Sequence, residues 1–268
     1  MKSPRNLEEL ISQYKKLIQK YSFKEEVYKW QLIKKFERKP NLAAEDFKNE
    51  LKGIDFSNLV YQNAITVIKT LADEATDEYR DCLKLLFDEN IDLVSRMESV
   101  QRKVIEIYAR IKPELKHNHD ERTIATLLTF QYPEQYIFYK YQYYEAFCHL
   151  QKIKVAQKFP QKYIHYLALI DAFVESYIKN DAELLTLIEA HLPKEFFDTQ
   201  NYRLIAQDVL FRFFGTSFKF NKTSFDFQKT IGKFEALLKK EKGVLNGFKI
   251  SKRNFKSQKR KIGKFEWI

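Results

Sequence analysis

Apolar residues recur every three or four positions through most of the first 214 residues, the rhythm of helices that each bury one face. Seven of them share one face of the first predicted helix: Leu7, Leu10, Ile11, Tyr14, Leu17, Ile18 and Tyr21. Ser3 fits the N-cap of that helix, and Pro4 fits its first position. A second stripe ends before Pro40 and consists of Val27, Trp30, Ile33 and Phe36.

The same rhythm predicts helices further along the chain. They cover residues 57–72, 77–88, 91–112, 119–130, 134–151, 161–179, 182–191 and 201–214. Pro113 stops the helix that begins at residue 91. Strand-like alternation is missing from this part of the sequence, so we predict a mainly α fold, an irregular multi-helix domain.

Charge divides the chain into two parts. Residues 219–268 contain 15 basic residues (Lys and Arg) and 4 acidic residues (Asp and Glu). Residues 1–218 contain 32 basic and 32 acidic residues. All 16 tyrosines lie at or before Tyr202. Both shifts place a boundary near Gly215, which gives an α-helical domain over residues 1–214 and a basic C-terminal extension over 215–268. A neutral body with a cationic extension is expected of a protein that docks a polyanion through one element.

The extension has weak signals for regular structure. Residues 225–241 fit one more helix, and Asn246-Gly247 is the dipeptide of a two-residue β-hairpin turn. No acidic residue occurs between residues 242 and 265. Such a block is also compatible with partial disorder until a partner binds.

Aromatic residues are interleaved with the cations of the extension. Bases stack on aromatic rings while Lys and Arg follow the phosphates, so this mixture favours nucleic acid, and DNA in particular, as the partner. The predicted binding residues are Lys249, Lys252, Arg253, Phe255, Lys256, Lys259, Arg260, Lys261 and Lys264. The competing interpretations are a solvated tail without a partner and contact with an anionic membrane surface.

Nine of the eighteen residues from 130 to 147 are aromatic. On a helix that begins near Pro133, five of them share one face and are expected in the core: Tyr136, Tyr139, Tyr143, Tyr144 and Phe147. Phe138 and Tyr141 point the other way. They either meet another helix or form an exposed stacking surface.

The segment KHNHDERT contains His117, His119, Asp120 and Glu121, a set that could ligate a metal. However, Asn118 and Glu121 have the N-x-x-E spacing of a helix cap, and first-turn carboxylates complement the helix dipole. We therefore favour capping and predict no metal site.

Other catalytic and cofactor signatures are weak. The segment GTSFKFNKTS from Gly215 lacks the spacing and the second glycine of a phosphate loop. No catalytic triad, Cys/His pair or paired carboxylates stand out, so we predict that the chain is not an enzyme and binds no cofactor. Cys82 and Cys148 lie in apolar helical patterns without a partner spacing, which indicates buried, inert thiols in a reducing compartment.

The sequence also bears on location. No stretch approaches the roughly 18 apolar residues of a membrane span. The start, MKSPRNLEEL, lacks the apolar region of a secretory signal. A cytoplasmic protein without a membrane partner is therefore expected.

Five stretches of the first 214 residues have distinctive amino-acid sequences. They are YKWQLIKKF from Tyr28, FSNLVYQNAITVIKTLA from Phe56, HDERTIATLLTFQYPEQYIFYK from His119, KYIHYLALI from Lys162 and LIAQDVLFR from Leu204. Together they resemble the N-terminal helical region of some bacterial McrB-like proteins, the AAA+ GTPase subunits of methylation-dependent restriction systems. The resemblance covers about residues 20–214.

In that family the helical region precedes the motor, so the resemblance implies selection of a DNA target, often a modified one. Because this sequence lacks the motor, a separate AAA+ motor or nuclease subunit is expected as a partner. The motor and its phosphate loop have no counterpart in this sequence, and the resemblance assigns no individual binding residue. We therefore predict a non-catalytic nucleic-acid recognition module of a McrBC-like restriction or defence system. The alternatives are a helical protein–protein interaction scaffold with a basic tail, and a nuclease whose site is not recognisable.

Overall fold

The computed structural model describes residues 4–21, 27–115, 119–196 and 201–214. Over these ranges the chain is helical and contains no strand, which confirms the predicted mainly α fold for them. The α-helices are α1 (Pro4–Tyr21), α2 (Val27–Phe36), α3 (Phe47–Lys52), α4 (Gln62–Glu74), α5 (Thr76–Phe87), α6 (Leu93–Ile111), α7 (Glu121–Gln131), α8 (Tyr141–Gln151), α9 (Gln161–Phe173), α10 (Ala182–His191) and α11 (Tyr202–Phe214). A π-helical turn (Val174–Ile178) follows α9, and a 3₁₀ turn (Lys194–Phe196) follows α10.

Most helix ends follow the local signals in the sequence. Helix α1 begins at Pro4, and α6 ends two residues before Pro113. Two departures stand out. The short helix α3 was not predicted; it is capped by Asp46, whose carboxylate accepts a hydrogen bond from the Asn49 amide. Helix α4 begins at Gln62 instead of residue 57, because Asn58 adopts a left-handed conformation (φ 65°) that a right-handed helix cannot contain.

One continuous apolar core joins the helices. Helix α5 packs along α6, while α1 packs against α10, α11 and the π turn. Trp30 is buried in this core. Cys82 and Cys148 are free and buried, as predicted, and burial raises the pKa of both thiols to about 11.

Buried polar groups tie α11 to the rest of the body. The Tyr14 hydroxyl of α1 donates to Asp208 over 2.6 Å, and Arg212 donates to the same carboxylate over 2.8 Å. Gln207, the residue before Asp208, donates to the Phe138 carbonyl over 2.6 Å. Burial raises the pKa of Tyr14 well above its ordinary value, and the Asp208 carboxylate acts in the same direction. The last described helix is therefore fixed by specific hydrogen bonds as well as by apolar packing.

Within the described ranges, no helix combines the length and the apolar character that crossing a membrane requires.

Candidate nucleic-acid-binding surfaces

The nine residues of the extension that the sequence singles out for nucleic-acid binding lie outside the described residues. The predicted helix over residues 225–241 and the predicted hairpin at Asn246-Gly247 lie there too. These assignments stay predictions. The described part of the chain bears on function through the surface of its helical body.

Most arginines of the body make internal hydrogen bonds. Five of them donate to backbone carbonyls: Arg38, Arg80, Arg96, Arg122 and Arg203. Arg96, for example, is 4% exposed and donates to the Leu86 carbonyl over 2.9 Å and to the Tyr136 hydroxyl over 2.8 Å. Because Leu86 lies in the last turn of α5, this guanidinium satisfies a terminal carbonyl and complements the helix dipole. These hydrogen bonds tie the arginines to the fold, although the Arg38 side chain stays 52% exposed.

Many lysines of the body are paired with carboxylates. The paired lysines are Lys15, Lys39, Lys48, Lys52, Lys84, Lys112, Lys162 and Lys179. Most of these pairs are exposed and contribute little to stability. They do, however, neutralise the surface locally, in agreement with the equal numbers of acidic and basic residues in residues 1–218.

An open groove of about 610 Å³ lies between α1 and the start of α10, beside the π turn. Its charged lining residues, which sum to one negative charge, are Glu8, Lys15, Lys16, Asp181 and Glu183. The Lys15 ammonium lies 2.7 Å from carboxylate oxygens of both Asp181 and Glu183. Burial alone would lower the pKa of Lys15, but these two carboxylates raise it overall. The groove therefore does not attract phosphate through net charge.

In the KHNHDERT segment, the described residues Asp120 and His119 stabilise the fold. The N-cap of α7 is Asp120, whose carboxylate accepts from the Thr123 amide over 3.0 Å. The predicted cap Asn118 lies outside the described residues, so the capping assignment shifts to Asp120. His119 is fully buried, and its Nε2 lies 2.8 Å from the Tyr79 hydroxyl. In the ranges that the structure covers, no three His, Cys, Asp or Glu side chains form a possible metal site; His117 is outside them.

The aromatic segment from residue 130 to 147 is helical at its C-terminal end, as predicted, but not between Pro133 and Lys140. Helix α8 begins at Tyr141, not near Pro133, and a turn followed by a segment without regular secondary structure precedes it. Side-chain partners hold this segment: the Tyr163 hydroxyl donates to the Ile137 carbonyl over 3.0 Å, and Gln207 donates to the Phe138 carbonyl. These bonds satisfy backbone groups that a helix would otherwise satisfy internally.

Phe138 is consequently buried, at 4% exposure, and lies edge-on to Phe130 with 5.8 Å between ring centroids. The prediction that it could belong to an exposed stacking surface is wrong. The five residues expected in the core, Tyr136, Tyr139, Tyr143, Tyr144 and Phe147, are all buried.

Tyr141 is exposed at 37%, in agreement with its predicted outward position. Its hydroxyl donates to Glu145 over 3.1 Å, which fixes the orientation of the ring. The Lys162 ammonium lies 5.9 Å from the ring centroid and 2.7 Å from a carboxylate oxygen of Glu121. The side chain is thus placed and oriented for a flat partner, while its role in stacking stays a prediction.

The five stretches that carry the McrB-like resemblance form packed elements of this body. They correspond to α2, to α4 with the turn before it, to α7 with the non-helical segment after it, to α9 and to α11. Most residues of these five stretches are buried. The stretches therefore contribute to the packing of the core more than to a binding or catalytic site. No protein-family model, curated protein or solved structure matches the chain.

Proposed function

We propose that the chain is a non-catalytic nucleic-acid recognition module, with DNA as the favoured partner. The basic extension binds the phosphate backbone, and the helical body contributes selectivity for the nucleic-acid target. Following the resemblance described above, the favoured setting is a bacterial restriction system of the McrBC kind, with a separate AAA+ motor or nuclease subunit as a partner.

The observation that supports this proposal is the separation of charge. In the helical body, five arginines donate to backbone carbonyls and eight lysines are paired with carboxylates. In contrast, seven of the thirteen residues from 252 to 264 are Lys or Arg and none is acidic. Without acidic neighbours in the sequence, these cations suit phosphates, and each phosphate that they neutralise releases counterions and adds to the affinity.

The experiment compares two variants of the full chain that lose the same charge at different places. The extension variant has five cations replaced by Gln: Lys252, Arg253, Lys259, Arg260 and Lys261. The body variant has five ion-paired lysines replaced by Gln: Lys48, Lys52, Lys84, Lys112 and Lys179. Binding of labelled duplex and single-stranded DNA is measured for both variants and for the unchanged chain.

The proposal predicts that the extension variant loses affinity by more than tenfold, while the body variant binds like the unchanged chain. Equal losses in both variants would mean that only net charge matters, and the proposed role of the extension would be wrong. Absence of binding by the unchanged chain would exclude nucleic-acid recognition and favour the protein-interaction scaffold.

A further inference from the structure

Four large apolar or aromatic side chains of the described residues are exposed, and two of them are tyrosines. Tyr61 is 55% exposed and Tyr141 is 37% exposed; the others are Ile105 and Leu115. Isolated exposed apolar residues are common on protein surfaces. The two tyrosines differ from them because each has a cation placed on its ring.

Tyr61 lies directly before α4 and is held by Arg122 of α7. The guanidinium carbon lies 4.7 Å from the ring centroid, within the range of a cation–π contact. The same guanidinium donates to the carbonyls of Asn58 and Leu59. Because these bonds fix Arg122, the Tyr61 ring is held in place while more than half of its surface stays in water.

A chain of contacts connects Tyr61 to Tyr141. Arg122 follows Glu121 in α7, the Glu121 carboxylate lies 2.7 Å from Lys162 of α9, and Lys162 lies over the Tyr141 ring at the start of α8. The starts of α7, α8 and α9 therefore lie close together, and an exposed tyrosine lies at each end of this chain of contacts. We name Tyr61, Glu121, Arg122, Tyr141 and Lys162 the tyrosine patch.

We propose that the tyrosine patch binds unpaired bases of single-stranded nucleic acid by stacking, an inference that rests on the proposed function. Bases stack on exposed aromatic rings with a contribution of about 1 to 3 kcal/mol each. Tyrosines that are already oriented lose little conformational entropy when they bind.

The electrostatics of the patch assign it to bases and not to phosphates. Glu121, Arg122, Lys162 and the neighbouring Glu145 sum to zero charge. Both cations of the patch also have partners within the protein: Arg122 donates to backbone carbonyls, and Lys162 forms a salt bridge with Glu121. Attraction to the polyanion therefore comes from the extension, whereas the patch offers flat surfaces that paired bases inside a duplex cannot reach.

This division of roles can be measured on the full chain. The variants are Tyr61→Ala and Tyr141→Ala, with Tyr61→Phe and Tyr141→Phe as controls that keep the rings. Leu115→Ala is the matched control for loss of an exposed apolar side chain elsewhere. The probes are a labelled oligothymidylate of about 30 nucleotides, long enough to cover an ordinary single-strand site, and a duplex of the same length. Thermal melting checks that each variant is folded.

We expect each Ala variant to bind the single strand about fivefold more weakly or worse, since 1 kcal/mol corresponds to about that factor. Duplex binding and the salt dependence should not change, because no phosphate contact is removed. Tyr61→Phe and Leu115→Ala should bind like the unchanged chain. Tyr141→Phe keeps the ring but loses the hydrogen bond to Glu145, so it should bind more tightly than Tyr141→Ala. An iodouracil-substituted strand should photo-cross-link to Tyr61 or Tyr141.

Two results would contradict the proposed base stacking at the tyrosine patch and leave the proposed function of the chain intact. One is unchanged single-strand affinity in both Ala variants. The other is a loss of affinity that accompanies a lower melting temperature and extends equally to the duplex, which would indicate a structural role. If the unchanged chain binds neither probe, the proposed function fails and the patch fails with it.

Discussion

Alkaline conditions are expected to unfold the helical body near pH 11, because its core contains tyrosines that cannot ionise in place. Tyr14, Tyr79, Tyr163 and Tyr166 are each fully buried. Burial is the main cause that raises the pKa of all four hydroxyls far above the ordinary value. In the unfolded chain the same hydroxyls lose their protons near pH 10, roughly the value of a free tyrosine.

The sign and the size of the effect follow from this difference. Above about pH 10 the folded state binds more protons than the unfolded state, so the free energy of unfolding falls as the pH rises. Each buried tyrosine lowers it by about 1.4 kcal/mol at pH 11, and the four together by about 6 kcal/mol. That loss is comparable to the whole stability of an ordinary domain, about 5 to 15 kcal/mol. The buried thiols act in the same direction, because their pKa of about 11 also exceeds that of a free cysteine.

The assay follows helix content by circular dichroism and tyrosinate formation by ultraviolet absorbance through an alkaline titration. We expect the buried tyrosines to ionise together with the loss of helix in one cooperative step, after any tyrosinate signal from exposed rings. Tyr166→Phe removes a buried hydroxyl that has no hydrogen-bond partner in the structure. It should therefore raise the pH of the midpoint without lowering stability at neutral pH. Tyr61→Phe, at an exposed ring, is the control and should leave the midpoint unchanged. Complete ionisation of tyrosine with the helices intact would refute this reasoning.

Three further outcomes are expected. Trp30→Ala should lower the free energy of unfolding by about 3 to 5 kcal/mol in urea titrations, because it empties a buried site in the core; a change below about 1 kcal/mol would contradict the packing described. Cys82 and Cys148 should react with Ellman's reagent at neutral pH only after unfolding, since burial disfavours the thiolate; rapid reaction of the folded chain would contradict their burial. The chain should not hydrolyse ATP or GTP, because residues 215–223 lack the spacing for phosphate binding; turnover that copurifies and disappears in Lys222→Ala would be the contrary result.

Helix content was predictable because the buried faces repeat with the helical period. In α1 every residue of the predicted stripe from Leu7 to Ile18 is buried. Proline marks two helix ends correctly, at Pro4 and Pro113, since its restrictions are local, whereas no helix begins near Pro133. These features depend on residues that are close in the sequence.

Features set by distant partners were not predictable. The sequence of residues 134–140 fits a helix, but these residues form a turn and a segment without regular secondary structure. Tyr163 and Gln207 bind the carbonyls of that segment, and Phe138 is buried in the core. The exposed Tyr61 ring contacts Arg122, which lies 61 residues further along the chain. No local pattern marks either contact, so the tyrosine patch could be found only once the helices were placed together.

The salt dependence of DNA binding tests the assignment of phosphate contacts to the extension. If the seven cations between residues 252 and 264 contact phosphates, the logarithm of the binding constant should fall with the logarithm of the salt concentration with a slope of about −5 to −6. The extension variant, with five of these cations replaced, should have a slope of about −1 to −2, and the body variant should keep the original slope. A slope near zero for the unchanged chain, or an equal slope in both variants, would contradict the assignment.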